Sequence, residues 1–568
     1  MYALALATDY DETLADHGCV SADTLEAMGK LKESGRKLLL VTGRELPDLQ
    51  RVFPEHEIFD RIVAENGALL YDPATRKARS LAPAPSAAFV SRLREREVVP
   101  LYVGQTIVAT LVPNEAIVLD EIRKLGLELK IIFNKGAVMV LPSGVNKASG
   151  LAAALEELGL SAHNVVGIGD AENDHAFLQA VGYGVAVANA LPTLKETADA
   201  TTRAARGAGV AELAAKILEK DAELMTCSRQ RIHVGADRAG VPAVISPYGG
   251  GSLISGTSGI GKSTLATLLT ERFVEKGYQF CVLDPEGDYS HLDNVVVVGD
   301  ANAPPSIREV MDLLDSPATN VAVNMLGLKT DERPDYFAKL LPELGSLRAR
   351  KGRPHWLVID EAHHLMPAAR VGNSFALPKD LPATVLVTVH PNLISKDVLQ
   401  KVETVMALGA DASQILATCS EAVGIDPPKW SDEPAQQEIL FWNRTTEQPV
   451  RKIKVDRPKQ ARTRHKRKYA EGDLGDSSFY FRGVDGALRL KAQNLMMFLH
   501  IAEGIDDATW EHHLRSGDYS KWFRDQVKDK ELAAEAHAIE RNEKLEPGES
   551  RDAIAHAVQS RYTGTSLA

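Results

Sequence analysis

The nine residues Gly256-Thr257-Ser258-Gly259-Ile260-Gly261-Lys262-Ser263-Thr264 constrain this chain more than any other stretch. They close an apolar run, Ser252-Leu253-Ile254, and open a helix-forming one from Leu265 to Val274. Gly256, Gly259 and Gly261 let backbone N–H groups turn inward around a β-phosphate. Lys262 can reach β and γ oxygens, Ser263 offers a hydroxyl to Mg²⁺, and Thr264 follows on the first helical turn, where the helix N-terminus adds a favourable field. A Gly/Ser linker has no need of Lys-Ser-Thr followed by an amphipathic helix. The stretch therefore predicts strand, loop and helix in an α/β domain that binds ATP with Mg²⁺.

A chain of 568 residues has room for several domains of ~150 residues. Its 44% hydrophobic and 25% charged content is that of a globular protein, and a net charge of −12 argues against indiscriminate nucleic-acid binding by the whole molecule. Cys19, Cys227, Cys281 and Cys419 are far apart, without metal-ligand spacing, and read as reduced, mostly buried thiols. Residues 1–8 are apolar but lack a basic leader and run into Asp9, and no run of 18 apolar residues occurs. A cytoplasmic protein with no membrane span is expected.

Four polar loops before residue 220 each follow or precede an apolar element. Asp9 and Asp11 follow the run 3–7, and their i, i+2 spacing on extended chain puts both carboxylates on one side. Thr42-Gly43-Arg44 ends the run 37–41; Gly144-Val145-Asn146-Lys147 leads into a helix; Gly169-Asp170-Ala171-Glu172-Asn173-Asp174 ends the run 164–168. In an open α/β sheet such loops converge outside the strand C-terminal ends.

In this order the four loops resemble the four motifs of the haloacid dehalogenase (HAD) phosphatases, in the Cof-like, sucrose-phosphate-phosphatase-like branch. Glu65-Asn66-Gly67-Ala68 and Val185 to Ala190, followed by Lys195, Glu196 and Asp199, support the resemblance, which spans about 1–215. It implies a Rossmann-like domain in which Asp9 attacks phosphorus, Asp11 protonates the leaving oxygen and then activates water, and Thr42 and Lys147 neutralise the phosphoryl group. It further implies Mg²⁺ between Asp9, the Asp11 carbonyl and Asp170, supported by Asp174 and Asn173. Where the family usually has glycine this chain has Glu12, a bulky acid expected to repel phosphate or narrow the substrate range. An insert at about 83–142, read as helix 87–97, strand 105–111, helix 114–125 and strands 129–133 and 137–141, corresponds to a small α+β cap that selects the substrate.

A boundary falls near 216–231, giving domains at 1–220 and 228–456. In the second, Phe280 to Leu283 ends in Asp284-Pro285-Glu286-Gly287-Asp288-Tyr289, and His355 to Ile359 ends in Asp360-Glu361-Ala362-His363. Asp360 suits the metal's water shell and Glu361 the polarisation of an attacking water, from the strand next to the phosphate loop. With Thr388-Val389-His390-Pro391 these loops resemble the HerA/FtsK-type ATPases over about 230–425. That resemblance implies a homo-oligomer, a hexameric ring in the family, with an arginine shared between subunits; Arg348, Arg350, Arg353 and Arg370 are the candidates.

From Arg451 to Lys468 basic residues dominate, read as a linker (457–474) or a patch for DNA phosphates. Residues 475–568 read as a mostly helical module: strand-like Ser477 to Phe481, then helices 490–504, 508–516, 519–540 and 549–562, with Trp510, Tyr519, Trp522 and Phe523 as core. The leading expectation is a Mg²⁺ phosphatase, acting on a phosphorylated small molecule or a nucleic-acid end, fused to an ATPase. Two others stand beside it: an end-healing polynucleotide kinase-phosphatase, and a nucleotide-controlled scaffold with a vestigial phosphatase.

Overall fold

The computed structural model describes residues 2–134, 136–290, 292–367, 382–430, 434–435, 437–446, 449–459, 477–483, 489–527, 529–542 and 544–562. The chain divides into two compact units, Met1–Lys459 and Gln460–Ala568.

The first unit holds two large sheets. The N-terminal one has eight strands in the order Ala200–Thr201, Tyr183–Ala186, Val165–Gly169, Ala5–Thr8, Lys37–Val41, Arg61–Ala64, Leu69–Asp72 and Lys77–Ser80. All neighbours are parallel up to Arg61–Ala64, and the last two strands are antiparallel. Ala5–Thr8 and Val165–Gly169 are buried throughout, as expected of parallel strands covered on both faces. Asp9 and Asp170 directly follow these two neighbouring strands, which brings two of the predicted loops to one edge. The cap is a four-stranded antiparallel sheet, Tyr102–Val103, Val108–Leu111, Ala137–Pro142 and Leu129–Asn134, with helices Ala87–Glu95 and Glu115–Lys124. Its first strands are shorter than the expected 105–111 because Gln105, Thr106 and Ile107 donate their N–H groups to the Glu65 carboxylate.

The second sheet has eleven strands. Seven are parallel, in the order Val402–Ala407, Gly251–Ser255, Thr384–Thr388, Trp356–Ile359, Phe280–Asp284, Asn320–Asn324 and Val295–Val298. Four antiparallel strands extend it beyond Val402–Ala407: Glu438–Asn443, Arg451–Val455, Ile232–Ala236 and Pro242–Ile245. The basic run thus begins as a paired strand, with Arg451 near Asp237 and Lys452 near Glu438. Residues 460–474 of the expected linker lie outside the described residues, as does Arg370.

The two domains of this unit meet at the N-terminal ends of their central strands. His163 stacks on Tyr278 at 3.8 Å between ring centroids, and its ring nitrogens face Gln230 Oε1 and the Lys276 carbonyl. Asn164 bonds the Gly352 carbonyl and faces His355, and Arg353 donates to the Gly159 carbonyl.

In the second unit Phe479–Arg482 and Arg489–Ala492 form a hairpin, so the helix expected from 490 begins only at Leu495. The helix expected over 519–540 is two, Asp518–Asp525 and Lys530–Glu540, the second capped by Asp529 accepting from Glu531 and Leu532 N–H. Trp510, Tyr519, Trp522 and Phe523 are core, packed with Phe479, Phe481 and Phe498. Among the described residues no helix is long and apolar enough to cross a membrane. Of the cysteines only Cys281 and Cys419 are buried; Cys19 is exposed.

Candidate active sites

Lys147, the first residue of helix Lys147–Leu158, is buried and places its Nζ 2.6 Å from Asp9 Oδ1 and 2.6 Å from Asp174 Oδ1. Asn146 fixes the start of that helix with a reciprocal capping box involving Ser149. Asp174 Oδ2 accepts from the N–H groups of Asp170 and Ala171, so both of its oxygens are engaged and it shapes the loop. Carboxylate oxygens of Asp9, Asp170 and Asp174 lie within 4.8 Å of one another. Burial is the strongest influence on Asp9; with Asp174 and Asp170 it pushes the carboxyl well above its ordinary value, against the pull of Lys147. Burial alone would lower the Lys147 ammonium, but Asp174 and Asp9 raise it above its ordinary value. Three buried carboxylates clustered together, with one ammonium paired to two of them, carry a surplus of negative charge that fits a hard divalent cation such as Mg²⁺, with Asp9 and Asp170 best placed to hold it.

Thr42 is fully buried, and its Oγ1 accepts from Arg44 N–H. Asp11 stands apart from the cluster by its side chain: its carboxylate is held in a fork by Arg44, with Nε to Oδ2 at 2.9 Å and Nη2 to Oδ1 at 2.6 Å. Glu12, the bulky acid in place of the usual glycine, is held in an ion pair. It occupies the left-handed region at φ 62°, which explains glycine as the usual residue, and its Oε2 takes a 2.7 Å hydrogen bond from Arg206 Nε. The charge expected to repel phosphate is thus paired. Arg44, Arg206 and Thr13, which donates to Asp170 Oδ1, were not assigned roles from the sequence, because only the fold brings each to its partner in a different loop.

In the second domain Gly259 and Gly261 take φ of 79° and 113°, the backbone a phosphate-cradling loop requires, and a Cβ on Gly256 would lie 2.8 Å from the Leu408 carbonyl. Lys262 Nζ turns back onto the Thr257 carbonyl at 3.0 Å, and Thr264 is exposed on the first turn of helix Lys262–Glu275. Ser263 Oγ and Asp360 Oδ2 are both buried without a hydrogen-bond partner among the described residues. Two orphaned oxygens of these types suit Mg²⁺ and its water shell.

Glu361 is in the left-handed region at φ 42°, 3.5 Å from His363 Nδ1, which also faces Thr388 Oγ1 at 3.0 Å. Burial, then His364 and His390, depresses His363 to about 4. Contrary to expectation, the Asp360-Glu361 strand is not next to the phosphate-loop strand: Thr384–Thr388 lies between them. Two strand spacings, ~10 Å, separate loop and carboxylate. Two of the candidate shared arginines are committed elsewhere. Arg348 donates to the carbonyls of Pro354, Pro382 and His355, and Arg353 to those of Leu314, Asp315 and Gly159. Arg350 is exposed, and Arg333, which the sequence did not single out, lies within electrostatic reach of Glu286 and Asp284.

Comparison with known proteins finds matches in two parts of the chain. Residues 6–108 and 115–213 match the haloacid dehalogenase-like hydrolases, and residues 251–344 match the central domain of the helicase HerA. A phosphoglycolate phosphatase of Methanothermobacter thermautotrophicus is 33% identical over 215 residues, covering 37% of this chain and 96% of that protein. One of Sulfolobus acidocaldarius is 30% identical over 217 residues, covering 37% and 95%. Phosphoglycolate phosphatase 2 of Saccharolobus solfataricus is 41% identical over 100 residues, covering 18% and 41%. Through its N-terminal domain the chain belongs to the haloacid dehalogenase-like hydrolase family.

Proposed function

We propose that the protein joins a Mg²⁺-dependent phosphomonoester phosphatase at residues 1–220 to a P-loop domain at 228–456 that binds and hydrolyses ATP. The observation that carries the first half is the buried Asp9, held at 2.6 Å by Lys147 beside Asp170 and Asp174. A buried carboxylate at a strand end is a competent nucleophile once ionised, and the Lys147 ammonium, with Mg²⁺ when bound, would offset the burial and the neighbouring carboxylates that favour its protonated form. In the first step an Asp9 oxygen forms a bond to phosphorus while the ester P–O bond breaks, and Asp11 delivers a proton to the departing oxygen. In the second, Asp11 takes a proton from water, the water oxygen bonds to phosphorus, and Asp9 is released with inorganic phosphate. Asp11 must exchange Arg44 for the ester oxygen to do this. Lys147 and the Thr42 hydroxyl offset negative charge on the phosphoryl oxygens. Mg²⁺, when bound, neutralises further charge on the same oxygens.

The relatives' names point to a small acid phosphate such as 2-phosphoglycolate as substrate. The test is phosphate release from 2-phosphoglycolate by the full chain with Mg²⁺ and with EDTA. Turnover with Mg²⁺ alone is expected; equal rates in EDTA, or no turnover of any phosphomonoester, would overturn the reading. For the second half the support is the glycine conformation of the loop together with the orphaned Ser263 and Asp360 oxygens.

A further inference from the structure

The turn Glu65-Asn66-Gly67 carries no assigned role, yet it touches three of the four predicted loops of the phosphatase site and the cap. Its three residues all have positive φ, 49°, 56° and 104°, a strained conformation for two that are not glycine. Asn66 N–H donates to the Thr42 carbonyl, and a Cβ on Gly67 would lie 1.9 Å from the Asn146 carbonyl, just before Lys147. Asn173, from the Asp170–Asp174 loop, donates its Nδ2 to Asn66 Oδ1 at 3.2 Å and also lies near Gly43. The Glu65 carboxylate accepts from Gln105, Thr106 and Ile107 N–H at 2.9, 2.8 and 3.2 Å, which fixes the cap loop over the turn.

Asn66 and Thr106 are thereby brought to the seam between the catalytic loops and the cap, 1% and 2% exposed. Asn66 Nδ2, Asn173 Oδ1 and Thr106 Oγ1 have no hydrogen-bond partner among the described residues. Flipping both amides does not remove the problem, since the Asn66–Asn173 pair still leaves one NH₂ and one carbonyl oxygen over. Buried polar groups left unpaired are unfavourable, so the two donors, Asn66 Nδ2 and Thr106 Oγ1, are groups that an acceptor on a ligand would complete, while the Asn173 oxygen is left to another partner.

Resting on the phosphatase reading above, we infer that Asn66 and Thr106 bind the leaving-group end of the substrate, and that this end carries a carboxylate close to the phosphoester carbon. An amide NH₂ and a hydroxyl both donate to a carboxylate, and the Glu65 carboxylate beside them is already satisfied by three N–H groups, so its charge is offset locally. The cap loop supplies one donor and the core turn the other.

The experiment compares 2-phosphoglycolate with ethyl phosphate, which lacks the carboxylate, using the full chain, Asn66→Gly and Thr106→Val. Glycine keeps the left-handed backbone, and valine keeps the volume of threonine. Each variant is expected to lose about 10- to 100-fold in kcat/KM for 2-phosphoglycolate, mainly through KM; with ethyl phosphate Thr106→Val should change less than about threefold, and Asn66→Gly, which also releases Asn173, should lose clearly less than it does with 2-phosphoglycolate. Thr106→Ser should restore most of the loss. Equal losses on both substrates would show a merely structural role, and no loss on either would remove both residues from recognition; either result overturns the inference. Calorimetric binding of the two esters to the wild-type protein separates the premises. Tighter binding of 2-phosphoglycolate that is lost in both variants, without hydrolysis, would refute the phosphatase reading but support the recognition site. Equal binding of the two esters would refute the site.

Discussion

At the scale of single residues the phosphatase site is a problem of excess negative charge. Lys147 is the cation that balances Asp9 and Asp174, with Asp170 alongside. Lys147→Met would leave buried carboxylates unpaired, at about 3–5 kcal/mol of stability. Denaturant unfolding of this variant should show that loss in EDTA and a partial recovery with Mg²⁺; an unchanged midpoint in EDTA would contradict the charge argument. Asp9→Asn removes the nucleophile with little change of volume, and phosphate release should fall by on the order of a thousandfold or more while the circular-dichroism spectrum is kept. Full turnover in that variant would exclude Asp9 as nucleophile. At Glu12, the positive φ and the pairing with Arg206 lead to a different outcome. Glu12→Gly should keep activity within about threefold and stability within about 1 kcal/mol, because lost ion pairing is offset by relief of the left-handed backbone. A tenfold rise in kcat/KM would instead show that the acid had been restricting the substrate.

At the scale of elements, what the sequence made legible were apolar runs that end in polar loops. Ala5–Thr8, Val165–Gly169, Gly251–Ser255 and Phe280–Asp284 are continuous buried strands, so each announces itself and the loop that follows it. Spatial order is not written in such runs. That Thr384–Thr388 separates the phosphate loop from Asp360 depends on strand pairing over more than a hundred residues, and that Arg44 grips Asp11 depends on two loops 33 residues apart. The role of Glu65 was hidden for the same reason, since its partners are backbone groups 40 to 42 residues away. For the P-loop domain, a carboxylate about two strand spacings from the loop leaves room for a water beyond the terminal phosphate. Lys262→Ala should lose nucleotide binding, and Glu361→Gln should bind ATP yet hydrolyse it at least about a hundredfold more slowly. Both are read with γ-labelled ATP in the presence of 5′-hydroxyl DNA. Label on DNA in place of free phosphate would replace hydrolysis with phosphoryl transfer to an end.

At the scale of the first unit, both sheets offer the N-terminal ends of their strands to each other and keep their candidate sites at the C-terminal ends. Val165–Gly169 begins at the joint beside Asn164 and ends at Asp170, while Phe280–Asp284 begins beside Gln279 and ends at Asp284, so each site stands about five residues, ~17 Å, from the contact. The joint itself is ionisable. Burial depresses His163 to about 4, with Arg229 and Lys276 adding to the effect against hydrogen bonding to the Lys276 carbonyl and the Gln230 side-chain oxygen. His355, which faces it at 5.3 Å between ring centroids, is pushed well below its ordinary value by burial and by His163, Arg353 and Arg348. Both histidines are therefore neutral in the folded protein. The unfolded chain takes up a proton on each below pH 6.5, the folded one does not, and stability that is complete above pH 6.5 is lost progressively down to about 4. For His163 alone the loss is on the order of 2–3 kcal/mol. Urea unfolding of the full chain between pH 7.5 and 4.5 should show the joint weakening over that window. His163→Gln, which keeps a hydrogen-bonding side chain but cannot be protonated, should flatten the slope by about one proton. A variant with the wild-type slope would remove His163 as a cause, and phosphatase turnover at pH 7.5 should be the same in both proteins.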